Sequence, residues 1–267
     1  MAKRTLDKET RKALTEAREL IQSIIKTGAN EAETRWRIEP IFSTLMGYDA
    51  FKHITREYSV ENPGDTDYCD FAIVIDETAV KPAKPCVLVE IKRVSTDLSP
   101  KHLKQAVSYA VNAGCEWVIL TNGQEWSLYH ITFGQPPETT LIEHWNLITD
   151  EYPVLADKFG IVGYKNVKKG GLAQLWSKFS VLIPHNVLKI ILSESSIASI
   201  RRELKRTTNV PVSQEEVVGA VRRLLNESAV AELKNLKIVL PDRRIKKSVP
   251  PVEVAAKTEC VSTPPQV

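Results

Sequence analysis

Residues Cys86 to Arg93 read CVLVEIKR. Val87, Leu88, Val89 and Ile91 mark a buried strand, yet Glu90 and Lys92 stand two residues apart at its end. Side chains at i and i+2 of a strand share one face, roughly 6.5–7 Å apart. A carboxylate and an ammonium are therefore presented together beside an apolar core. Asp70 opens the preceding apolar run, Asp70-Phe71-Ala72-Ile73-Val74-Ile75. Paired as an antiparallel hairpin, the start of one run meets the end of the other, and Asp70 joins Glu90 and Lys92. Two carboxylates suit a hard divalent cation such as Mg²⁺ (or Mn²⁺), which keeps several waters and takes phosphate oxygens. A neighbouring lysine can orient the attacking water and offset charge on a phosphate. The set fits metal-assisted phosphodiester hydrolysis. A Glu-x-Lys triplet alone is equally a structural ion pair, so the signal is the whole array. Asp67, in GDTDYCDF, competes with Asp70; Asp70 is preferred because the apolar strand follows it directly.

The elements that must position these groups are legible in outline. Leu14, Ala17, Leu20, Ile21, Ile24 and Ile25 recur at helical spacing over 6–25. Asn30 is an N-cap for a second helix, EAETRWRIEPIFSTLMG, with Pro40 predicting a kink or restart. Strands are expected at 54–60, 70–75 and 86–91. Ser99-Pro100 then starts a helix that closes at Gly114, and further strands follow at 117–121 and 125–131. Pro136-Pro137 opens a less regular stretch. Gln105 and Tyr109, four apart, lie on one face of the 100–113 helix. An amide and a phenol there can contact a nucleic-acid backbone or hold the lysine; Tyr109 as a core residue of an amphipathic helix is the structural reading.

Composition narrows the class. The 267 residues are 43% hydrophobic and 26% charged, with no apolar run of membrane-spanning length and no signal-peptide pattern. A cytoplasmic protein is expected, with no membrane partner. The four cysteines form no CxxC pair and no disulfide framework, and a GK[ST] phosphate loop is absent. The net charge of +3 conceals an imbalance: 165–247 carries 17 Lys and Arg against 7 Asp and Glu, a net of +10, and 1–164 a net of −6. A basic half beside an acidic half points to a polyanion partner, although a solvated helical domain has the same look.

The stretch from Asn30 to about Ile131 resembles the PD-(D/E)xK nuclease superfamily. It is most similar to the N-terminal nuclease region of type I restriction enzyme R subunits. Asp70-Phe71-Ala72-Ile73 matches the motif aspartate and its strand, Glu90-Ile91-Lys92 the (D/E)xK element, and Gln105-Ala106-Val107-Ser108-Tyr109 the QxxxY element. NEAETRWRIEPIFSTLMGYD resembles the leading helix, whose acid, carried over here to Glu33, points toward the site. Cys69 stands where the motif has proline, and no helicase motor follows. The resemblance implies a Mg²⁺-dependent DNA endonuclease related to restriction or defence. Asp70 and Glu90 would be metal ligands, Lys92 would serve the water, and Glu33, Gln105 and Tyr109 would support them.

The expected architecture is α/β: a restriction-endonuclease-like mixed sheet flanked by helices, followed by a small all-α domain and a disordered C-terminal tail. The boundaries are 1–147 for the nuclease domain, 148–241 for the basic helical domain and 242–267 for the tail. Within the helical domain Arg201, Arg202, Lys205 and Arg206 form a cationic face suited to DNA phosphates. Two other classes stay open: a catalytically silent nucleic-acid-binding or assembly module of the same fold, and an interaction protein. Target sequence, DNA versus RNA and oligomeric state have no signature in the chain.

Overall fold

Helix α1 (Lys8–Thr27) begins where the Asp7 carboxylate accepts the Thr10 amide at 2.8 Å. It ends at Gly28, whose φ of +64° suits the left-handed closing turn. Leu14, Ala17, Ile21 and Ile24 make its buried stripe. Asn30 caps α2 (Glu31–Thr44) by accepting the Glu33 amide, and the helix continues through Pro40 instead of restarting there. The computed structural model describes residues 6–62, 65–75, 84–182 and 184–224; the expected tail at 242–267 lies outside them.

Six strands follow: β1 (Ile54–Asn62), β2 (Asp65–Ile73), β3 (Val87–Ile91), β4 (Trp117–Thr121), β5 (Glu125–Thr132) and β6 (Glu138–Asn146). They lie in chain order across one mixed sheet. Among the described strands only β3 and β4 are parallel, and α3 (Pro100–Ala113) makes the crossover between them, as a parallel pair requires. β3 and β4 are buried along their whole length. One face of the sheet packs Phe71, Ile73, Val87, Val89, Ile91 and Ile119 against α1 and α2. The other packs Ala72, Leu88 and Val118 against Ala106, Val107, Tyr109 and Ala110 of α3. This is the expected layered α/β architecture around a mixed sheet.

Two details differ from expectation. β2 starts at Asp65, so Asp70 does not head the strand; residues 65–69 pair with β1 ahead of the β2–β3 ladder. β6 occupies the stretch read as irregular. It is an edge strand with mostly exposed or half-buried side chains, so it lacks the alternation that marks a strand. The chain divides into two compact units at Ile190/Ile191. Leu155 and Phe159 of α4 (Tyr152–Ile161), Val162, and Leu172 of α6 (Gly171–Val181) complete the first unit's core, with α5 (Tyr164–Lys168) between them. Helix α7 (Pro184–Ile191) lies at the boundary. The second unit contains α8 (Glu194–Thr208) and α9 (Gln214–Leu224). Ser213 and Glu216 cap α9 reciprocally, each side chain accepting the other's backbone amide. Among the described residues no helix is long and apolar enough to cross a membrane.

Candidate active site

The β2–β3 register pairs Phe71 with Val89, and one step further sets Asp70 against Glu90. The Ile91 amide donates to Asp70 Oδ2 at 2.6 Å. Lys92 Nζ donates to Glu90 Oε1 at 2.6 Å and to Gln105 Oε1 at 3.1 Å, and Gln105 Nε2 donates to the Tyr109 hydroxyl at 2.8 Å. One hydrogen-bonded chain thus runs from β3 to α3. Asp70, Glu90 and Lys92 are 7%, 3% and 9% exposed. Charged groups buried to this degree need partners or a ligand.

Asp70 sits at a break in the β1–β2 ladder. Pairing holds on both sides of the Glu57/Asp70 step but not at it. Glu57 has a φ of +46°, a conformation that costs a non-glycine residue about 1–2 kcal/mol. Ile54, Phe71 and Ile73 face the α1/α2 side, whereas Tyr58, Val60 and Cys69 face α3, so the ribbon turns over here. Arg35 of α2 spans the break: Nη2 lies 2.6 Å from Asp70 Oδ1 and Nη1 3.5 Å from Glu57 Oε1. Arg35, Glu57, Tyr68, Cys69 and Asp70 line a cleft of about 190 Å³.

Burial sets the electrostatics. Desolvation and then the charge of Asp70 push Glu90 up to about 7, although Lys92 opposes the shift. Desolvation also raises Asp70, against the Ile91 amide, Arg35 and Lys92. For Lys92 burial acts downward, but the hydrogen bond and charge of Glu90, with Glu31 and Asp70, outweigh it and its pKa is raised. Lys92 is therefore an ammonium at neutral pH.

The donor set fits a hard divalent cation. Glu90 Oε2 is buried without a hydrogen-bond partner, and such an ion would satisfy its unused lone pair. Among the described residues no three acidic, histidine or cysteine side chains cluster as a metal cage. Magnesium asks for less: one or two carboxylates, with water and phosphate oxygens completing its shell. Asp70 and Glu90 are such a pair.

Comparison with protein families finds a match within the first unit. Residues 30–142 match the family model of the type I restriction enzyme R protein N terminus (HSDR_N). The restriction-enzyme match runs from the start of α2 into β6 and so contains every group of the Asp70–Tyr109 constellation. Neither the curated proteins nor the solved structures gave a match.

Within the matched stretch, Asp70, Glu90, Lys92, Gln105 and Tyr109 come together. Glu33 does not join them: its carboxylate lies 3.8 Å from Arg37 Nη2, an i,i+4 pair on α2. Glu31 is the α2 acid whose charge bears on Asp70, Glu90 and Lys92. Sequence pattern does not single out Glu31 and Arg35, although their i,i+4 spacing puts them on one helical face. Nor does it single out Arg93, which donates to the Gly28 and Ala29 carbonyls at 2.8 and 3.0 Å and ties the exit of β3 to the α1–α2 turn. In the second unit, Arg201, Arg202, Lys205 and Arg206 do share α8. Arg201 donates to the Val212 carbonyl at 2.7 Å and Arg206 is paired twice with Glu203, while Arg202 and Lys205 are exposed.

Proposed function

We propose that the first unit is a Mg²⁺-dependent endonuclease acting on DNA, related to restriction or defence. The observation that carries this reading is the Asp70–Glu90–Lys92 cluster with a buried, unpartnered Glu90 oxygen. Asp70 and Glu90 would hold the ion, which when bound polarises a phosphate oxygen and makes a coordinated water more acidic. Lys92, aimed by Glu90 and Gln105, donates to the attacking water or to a phosphate oxygen and offsets the negative charge that grows as water adds to phosphorus and the ester bond breaks. Tyr109 fixes the Gln105 amide, and through it the ammonium. The resemblance to restriction R proteins supports DNA as substrate.

A catalytically silent module keeps one specific observation in its favour. Both Asp70 oxygens are already engaged, by Arg35 and by the Ile91 amide. Incubation of the full chain with supercoiled, linear and single-stranded DNA, in Mg²⁺ and in EDTA, separates the two. Nicking or linearisation of supercoiled DNA only with metal is the expected result. DNA binding without cleavage in Mg²⁺ or Mn²⁺ would favour the silent module.

A further inference from the structure

Arg35 stands where an ion would act. Its Nη2 holds Asp70 Oδ1 at 2.6 Å, so a guanidinium supplies the positive charge that the buried carboxylate needs. A divalent ion binding Asp70 brings a second cation to the same carboxylate, and like charges a few ångströms apart in a partly dry site repel strongly. An acceptor is already in place. Glu57 Oε1 lies 3.5 Å from Arg35 Nη1 on a side chain that is 71% exposed. Glu57 is held opposite Asp70 by the one non-glycine left-handed conformation in the strands among the described residues, at the step where the ladder is broken. Backbone strain of this kind concentrates at working sites. Arg35 Nε is also buried without a hydrogen-bond partner. A guanidinium carries five donors, and Arg35 leaves this one unused.

We propose that Arg35 is the resident counter-cation of the site and passes from Asp70 to Glu57 as a divalent ion binds. The proposal rests on the metal site of the proposed function and adds its regulation. Before the ion binds, Arg35 is a positioning residue that holds Asp70 in place and favours its charged form. Shifted to Glu57, it stays in the wall of the same cleft, where its remaining donors face an incoming phosphate. Strained Glu57 is what makes the exchange possible without leaving an arginine unpaired.

The test titrates Mn²⁺ alone into the full chain, without DNA, by calorimetry. Coupling between sites of this kind is worth roughly 5–150-fold in affinity, and an exposed acceptor such as Glu57 belongs near the lower end. Arg35→Gln should tighten Mn²⁺ binding by about tenfold, and Glu57→Gln should weaken it by about fivefold. In the Arg35→Gln background the Glu57→Gln effect should vanish. An Arg35→Gln variant with unchanged or weaker binding overturns the proposal, as does a Glu57→Gln effect of equal size in both backgrounds. Should Arg35→Gln not fold, a crystal structure of the unaltered chain with Mn²⁺ decides. Arg35 on Glu57 supports the exchange, and Arg35 still on Asp70 beside a bound ion refutes it. An unaltered chain that binds no Mn²⁺, with Asp70→Asn and Glu90→Gln equally silent, removes the metal site itself, a separate failure.

Discussion

At the scale of single residues, the site is a set of charges that burial has made interdependent. A lysine at a strand end is expected to contribute little to stability, yet Lys92 is buried and paired with a carboxylate that is 4% exposed. Lys92→Ala therefore leaves Glu90 without its cation, a loss of about 3 kcal/mol for a buried pair. Because Glu90 can take up a proton near pH 7, thermal unfolding should show a smaller loss at pH 5.5 than at pH 8. Glu90 itself sets a second pH dependence. Its folded value is raised from 4.5 to about 7, so the stability it contributes is complete below about 4.5 and is lost as pH rises through about 7. In EDTA the unaltered chain should melt higher at pH 5.5 than at pH 8, and Glu90→Gln should flatten that difference. A slope unchanged in Glu90→Gln would assign it to other groups. The residue types of this site are legible in the sequence because an acid and a base at the edge of apolar strands are out of place. Arg35 and Glu31 are not, since on an amphipathic helix each reads as an ordinary solvated charge.

Elements are legible where burial imposes a period. The stripe of α1, the caps of α2 and α3, and the apolar runs that open β3 and β4 all carry local signals that agree with the tertiary packing. β6 carries none, because an edge strand covered on few sides has no reason to alternate. The start of β2 is hidden for a related reason: residues 65–69 form a ribbon with β1 alone, and Asp67 and Tyr68 mask its strand character. The turnover at Glu57 has no sequence signature, since glutamate is not a residue that announces a positive φ. On α8 the cationic face is smaller than its four basic residues suggest, because Arg201 and Arg206 have partners within the unit. If α8 binds DNA phosphates, Arg202→Gln with Lys205→Gln should flatten the slope of log K against log salt by roughly 0.9 for each phosphate no longer neutralised. Arg201→Gln should instead lower the stability of the α8–α9 pair. An unchanged salt slope in the double variant would make this helix a solvated surface.

For the whole molecule, charge imbalance and helical pattern suggest a boundary after the sheet, but the core extends past it. Leu155, Phe159, Val162 and Leu172 are at most 4% exposed. Burying such side chains contributes about 1.5–3 kcal/mol each, which together rivals a typical net stability of about 5–15 kcal/mol. A chain ending at 147 should thus fail to give a cooperative melt, whereas one ending at 190 should keep it; a cooperative melt from the shorter chain would move the boundary back to 147. The proposed nuclease activity depends on the joint action of Asp70, Glu90 and Lys92 on a phosphodiester. Its most direct measurement is the cleavage rate of supercoiled DNA at saturating Mg²⁺ and DNA by the unaltered chain and by Asp70→Asn, Glu90→Gln and Lys92→Ala, each first shown to be folded. Each substitution should slow cleavage by about 100-fold or more, the loss typical of a removed charge-stabilising or proton-handling group. A folded variant of any of the three that cleaves at the unaltered rate would contradict the account.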